Sequence, residues 1–145
     1  VKVLNEKSEN IGKYISYMYR KGGAFISKGL INKGIGSGQI MFLLELYKND
    51  GVTQEWLSEI FNIDKGTTAR ALKKLEDVGF VTRLKDKSDK RAYSIHLTDK
   101  GIEAKDEIYG VLDGWESILS QNLTFEEGEL LLNLLKKVSE NIKTK

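Results

Sequence analysis

Apolar residues recur at two different spacings along this chain, and the change from one to the other marks out its organisation. Trp56, Leu57, Ile60 and Phe61 repeat as on one face of a short helix, and Ala71, Leu72, Leu75 and Val78 as on one face of a second. Asn62-Ile63 separates the two as a turn. Residues 80–84 and 93–97 then alternate with period two, which predicts an antiparallel pair with Val81, Tyr93, Ile95 and Leu97 facing inward. Thr53 and Asp64 stand where N-caps belong, because their side-chain oxygens can accept the orphan amide protons of a first turn. Gly79 supplies the left-handed residue that closes the second helix. Helix, turn, helix, strand, loop and strand, in that order, predict a winged helix-turn-helix.

The flanks read differently. From about 8 to 31, Ile11, Ile15, Met18, Phe25 and Ile26 recur at helical spacing, with Tyr14, Tyr17 and Tyr19 adding aromatic bulk, and Gly22-Gly23 predicts a bend or a close approach by another backbone. Gly34-Ile-Gly-Ser-Gly38 breaks this run, and a short helix over 39–47, apolar nearly all round, follows. Thr98 caps a further helix striped with Ile108, Val111, Leu112, Trp115, Ile118 and Leu119. Thr124-Phe-Glu-Glu127 is a capping box, and the helix it opens carries Leu131, Leu134, Leu135, Val138 and Ile142. Both flanks present long apolar stripes with little chain left to cover them, so a second copy of the chain is the economical cover. The expected fold is therefore mainly α with a small β-hairpin wing. One subunit spans 1–145, with dimerisation helices at 1–33 and 99–145 and a winged helix-turn-helix at 36–97, its two helices within about 53–76 and its wing within about 80–97.

Charge adds a direction to this outline. Residues 63–97 hold nine Lys or Arg against five Asp or Glu, a net of +4, whereas the whole chain sums to only +2. Positive charge is concentrated where a phosphate backbone would lie. On the second helix Lys65, Thr67, Thr68, Arg70, Lys73 and Lys74 cover the faces left free by the apolar stripe. Arg70 is the side chain best able to make a bidentate contact to guanine. The tip Lys85-Asp-Lys-Ser-Asp-Lys-Arg91 has no core to build, so Arg91 is the candidate minor-groove probe and Asp89 the group that would orient it through a charge-assisted hydrogen bond.

These residues resemble a known family. Residues 53–61, Ile63-Asp64-Lys65-Gly66-Thr67-Thr68-Ala69-Arg70, Leu75-Glu-Asp-Val-Gly79-Phe80-Val81, Asp89-Lys90-Arg91 and Leu97-Thr98-Asp99-Lys100-Gly101 are similar to the MarR family of transcription factors. The similarity runs along essentially the whole chain, and its most specific parts are the second helix and the Asp-x-Arg of the wing. It implies a homodimer on a palindromic operator that regulates transcription, most often by repression. It also implies a small-molecule effector entering the crevice between dimer helices and winged domain, for which Tyr14, Met18 and Trp115 are the candidates. Two departures stand out: Gly66 occupies a first-turn position where many members carry serine, and the wing lacks the proline often found near its tip.

Other classes fare poorly against this sequence. With no cysteine there is no disulfide framework, no thiolate zinc site and no thiol redox sensor. No Gly-x-Gly-x-x-Gly, P-loop or nucleophile elbow is present, and Glu126-Glu127 is explained by a first helical turn, so an enzyme is not expected. No ligand spacing joins His96, the single histidine, to a metal, and no cofactor is expected. With no basic-apolar-small leader and no apolar run of about eighteen residues, the expected setting is cytoplasmic, without a membrane partner. The rival that sequence leaves open is a winged helix that docks another protein instead of double-stranded DNA.

Overall fold

A computed structural model describes residues 9–143. Its elements are α1 (Ile11–Gly29), a 3-10 turn (Ile31–Lys33), α2 (Ser37–Lys48), α3 (Gln54–Phe61), α4 (Lys65–Asp77), β1 (Val81–Lys85), β2 (Tyr93–Leu97), α5 (Asp99–Glu103), α6 (Lys105–Ser120) and α7 (Phe125–Glu140). The mainly helical architecture with a single hairpin agrees with the sequence. Two compact units divide the chain, one up to Leu112 and one from Asp113. The ends of the predicted dimerisation regions, 1–8 and 144–145, lie outside the described residues.

The core of the first unit is built by short elements that each bury one face. α2 contributes Ile40, Phe42, Leu43 and Leu46, α3 Leu57, and α4 Ala71, Leu72 and Leu75, closed by Phe80, Val81 and Ile95 of the hairpin and by Ala104 and Ile108. Phe42 and Phe61 meet edge to face, with ring centres 5.5 Å apart. The starts of α3, α4 and α5 are capped as their sequence demands. Thr53 accepts from the Trp56 amide (3.0 Å), Asp64 from the Thr67 amide (2.7 Å) and Thr98 from the Gly101 amide (3.1 Å). α3 closes on Asn62 and α4 is followed by Gly79, both at positive φ. The Phe80 amide then donates to the Leu75 carbonyl at 2.9 Å, which turns the chain from α4 into β1.

In the hairpin Val81 pairs with Leu97 and Lys85 with Tyr93. Here the structure corrects the inward set, because Ser94 and Ile95 are both buried while Tyr93 is exposed, its ring lying 4.6 Å from the guanidinium carbon of Arg83. The cause is an isolated bridge from residues 51–53 to β2 that alternation did not reveal. The Ile95 amide donates to the Val52 carbonyl and the Gly51 amide to the Ile95 carbonyl, so β2 has a neighbour on each side and Ser94 is covered from the Thr53 side. On α3, likewise, Leu57 and Ser58 are buried, whereas Trp56 and Ile60 lie on the solvent flank.

Two further differences concern the flanks. α1 runs unbroken through Gly22-Gly23, and Gly22 is buried, so the pair serves close packing and does not bend the helix. The helix capped by Thr98 is two helices, α5 and α6, separated at Ala104. The short α5 is stitched to the end of α4. The Thr98 hydroxyl donates to the Gly79 carbonyl, the Thr98 amide to Phe80 and the Lys100 ammonium to Val78. Gly101 sits so close to this turn that a Cβ there would collide with the Phe80 carbonyl, so only glycine fits. In the second unit, α7 opens with the predicted capping box: Thr124 and Glu127 exchange backbone-to-side-chain bonds at 2.9 and 3.1 Å. None of the helices among the described residues is long and apolar enough to cross a membrane.

Candidate nucleic-acid interface

The candidate surface is the part of α4 that its packing leaves outside. Thr68, Ala71, Leu72 and Leu75 are turned into the core. At 3.6 residues per turn the opposite stripe is Gly66, Arg70, Lys73 and Asp77, with Lys65, Thr67 and Lys74 on its flanks. A helix of thirteen residues is about 20 Å long at a rise of roughly 1.5 Å per residue, a rod that a major groove about 12 Å wide admits.

Thr68 has to leave the set of groove-facing residues. It is fully buried, and its hydroxyl donates to the Asp64 carbonyl at 3.0 Å inside the helix. A hydroxyl alternating with lysine and threonine in the sequence looks like recognition chemistry, but its position on the apolar stripe decides otherwise.

Around the first turn of α4 the remaining polar groups form a connected set. Asp64 accepts from the Thr67 amide and from the Thr67 hydroxyl, both at 2.7 Å, and the Arg70 guanidinium donates through Nη2 to the same hydroxyl oxygen at 3.1 Å. The Thr67 hydroxyl bond, followed by the Thr67 amide and the charge of Arg70, holds the Asp64 carboxyl below its ordinary range. One turn further on, Lys73 is bound to Asp77 at 2.7 Å and lies 3.9 Å from Glu76. The Asp77 carboxylate raises the Lys73 pKa. Lys73 must therefore release an acidic neighbour before it can reach a phosphate, whereas Lys65 and Lys74 are exposed.

The wing tip is shaped by its aspartates. Asp86 accepts the amides of Ser88 (3.1 Å) and Asp89 (3.0 Å), and Asp89 accepts the Arg91 amide at 3.0 Å and lies 3.4 Å from Arg91 Nε. These bonds organise the turn without proline, because an aspartate side chain accepting amides two and three residues on mimics a backbone turn. The Arg91 side chain is 93% exposed. A cleft of about 380 Å³ brings the wing and the helices together, lined by Gln54, Ser58, Lys65, Asp89, Arg91 and Tyr93 among others. Gln54, Ser58 and Tyr93 were not legible as part of this surface. Gln54 follows the Thr53 cap directly, which is the one signal that could have placed it at the start of α3.

The structure thus assembles Thr67 and Arg70 with Asp64, and Lys65 with Asp89 and Arg91 around one cleft. Tyr14 and Met18 lie partly exposed on α1 of the first unit, Tyr14 with its hydroxyl on Glu9, and Trp115 belongs to the second. A second cleft of about 380 Å³, lined by Asn32, Lys33, Phe80, Lys100, Glu103 and Ala104, includes none of them. His96 Nε2 lies 2.9 Å from the Ser94 hydroxyl within the hairpin. Among the described residues no group of three or more His, Cys, Asp or Glu is arranged to hold a metal ion.

Comparison with known proteins places these features in company. The MarR family profile matches residues 35–93. The chain is 37% identical to the HTH-type transcriptional regulator YybA of Bacillus subtilis, over 72% of this chain and 70% of that protein. A crystal structure of a MarR transcriptional regulator from Methanosarcina mazei superposes with a TM-score of 0.86 at 44% identity, covering 90% of this chain and 94% of that one. A MarR-family regulator from Listeria monocytogenes, solved with a 26mer DNA, superposes at 0.83 with 27% identity over 93% and 90% of the two chains.

Proposed function

The chain belongs to the MarR family of transcriptional regulators, and from that premise we propose that two copies of it grip a pseudo-palindromic operator and repress transcription by occluding it. The observation that carries this reading is the shared cleft. Lys65, at the start of α4, and Arg91, at the wing tip, open into one space, so a duplex seated on α4 meets both. α4 lies in the major groove. Lys65, Thr67 and Lys74 bind flanking phosphates, Lys73 joins them once exchanged from Asp77, and Arg70 addresses guanine. Arg91, steadied by Asp89, enters the adjacent minor groove, where a cationic side chain meets the strongest negative potential. That the Listeria relative was solved with a 26mer DNA supports DNA as the partner of this chain.

The dimer in this proposal is two-fold symmetric, with the apolar stripes of the terminal helices as its seam. Its reading heads sit about one helical turn of DNA apart, roughly 34 to 36 Å. A small-molecule effector is met by Tyr14 and Met18 of the first unit and, separately, by Trp115 of the second. A ligand releases the operator only to the extent that it binds the non-reading arrangement more tightly. A cytoplasmic setting follows from work on a chromosome.

The test is the salt dependence of binding to a duplex selected from a random pool. Log affinity is expected to fall linearly with log salt, with a slope of about −0.9 for each phosphate neutralised. Affinity that does not respond to salt would overturn the proposal and return the winged helix to a protein-docking role.

A further inference from the structure

We infer that Gly66 is a specificity-setting position: its missing side chain leaves the space in which the Arg70 guanidinium is held ready to read a base. This rests on the DNA-reading function proposed above and names the geometry by which one base pair is chosen. Residues 66 and 70 are one turn apart on the outward stripe of α4, and helical side chains lean back toward the N-terminus. The Arg70 side chain accordingly covers the turn that carries Gly66. A Cβ built on Gly66 would stand 3.3 Å from Arg70 Nη1 and 3.3 Å from Asp64 Oδ1, tighter than ordinary van der Waals contact.

The backbone does not explain this glycine. Residue 66 lies within the first turn of a regular helix, with no positive φ, where glycine is less favourable than alanine. What uses the vacancy is the guanidinium. Asp64 is pinned by two bonds to Thr67, whereas Arg70 Nη1 is the far end of a flexible side chain, so an added methyl group displaces the arginine first. In the native arrangement one N–H of Nη2 is bound to the Thr67 hydroxyl, and its second N–H remains with the other N–H groups of the fork for acceptors on a base edge. Arg70 then enters the groove already oriented, and less rotamer freedom is lost on binding. Gly66 is thus a positioning residue that acts through Arg70.

Gly66→Ala, Arg70→Ala and the double variant test this in the full-length protein, each used to select duplexes from a random pool. Gly66→Ala is expected to lose about tenfold or more of its preference at the base pair where Arg70→Ala loses it, to add nothing in the Arg70→Ala background, and to melt at the same or a higher temperature. A helix-stabilising role alone would move the melting temperature and leave the preference untouched. In the free protein, NMR signals of the Arg70 guanidinium should report slowed rotation that Gly66→Ala abolishes. Unchanged preference in Gly66→Ala, a loss at a different base pair, or identical guanidinium signals would each overturn the inference. If the wild-type protein itself selects no sequence, the DNA-reading function fails, and this inference with it. That result is distinguishable from the other three because it appears before any substitution is made.

Discussion

α2 and α7 are both rich in large aliphatic residues, yet their surroundings differ completely. α2 buries Ile40, Phe42, Leu43 and Leu46 within the first unit, while α7, with five leucines, buries no residue at all. α1 shows both conditions in one helix. Its last turns carry the buried Gly22 and the core-packed Ile26, but Ile11, Tyr14, Ile15 and Met18 further up the same stripe remain exposed. A buried leucine contributes roughly 1.5 to 3 kcal/mol over an exposed one, so a helix that leaves its whole stripe open gives up stabilisation that a partner surface can supply. The winged region is completed by its own chain, whereas the stripes of α7 and of the first turns of α1 stay open, to be covered by the partner in the dimer proposed above. On the dimer proposed above, this division gives reading heads that are rigid individually and joined in pairs.

The largest effect is expected from breaking the part completed from outside. Leu135→Lys places a charge in the middle of the exposed α7 stripe of the second unit. It should convert a dimer to a monomer in sedimentation equilibrium and weaken operator binding by at least about a hundredfold, since each half-site is then bound alone. Wild-type melting should rise with protein concentration, as mass action requires of a dimer, and the variant's should not. A Leu135→Lys protein that remains dimeric would remove α7 from the seam.

Breaking the part completed from within should act on a different observable. Leu72 is fully buried on the inward stripe of α4, and Leu72→Ala should destabilise the fold by about 2 to 5 kcal/mol through lost transfer energy and a residual cavity. Its cost, read by denaturant unfolding, should persist in the Leu135→Lys background, because the two sites belong to different sources of stability. A loss of effect in the monomer would mean that the winged region leans on the partner after all.

Much of this division was written in the sequence, and the exceptions share a cause. Caps such as Thr53, Asp64 and Thr124 were readable because a cap acts on amides within its own turn. The uncovered stripes were readable because periodicity reports a face whether or not anything covers it. What could not be read depends on contacts distant in sequence. Thr68 and Tyr93 exchange their expected faces because Val52 and Thr53 bridge to β2 and the core closes over the start of α4. Gly101, near the break at Ala104, docks on the Phe80 carbonyl, a contact that joins two elements across the hairpin. In the candidate site, Asp64 was legible as a cap, but its part in holding Arg70 was not, because the link passes through Thr67 and through the space at Gly66.

The smallest effect sharpens the comparison from the side of acid. Asp64 is held below its ordinary pKa by Thr67 and Arg70, so the folded protein binds its proton less readily than the unfolded chain does. Its contribution is therefore complete above the unfolded aspartate value of about 3.8 and is lost as pH falls through the lower folded value. Asp64→Asn keeps an oxygen to cap the Thr67 amide but removes the charge at the positive end of α4. The variant should be slightly less stable than wild type at neutral pH, and the gap should close below pH 4 when unfolding is followed across the acid range. Because the cap belongs to a region completed by its own chain, the gap should be the same at every protein concentration and in the Leu135→Lys background. A gap that is constant with pH would show that the ionised carboxylate holds nothing in place, and one that depends on concentration would tie α4 to the partner and dissolve the distinction between the two regions.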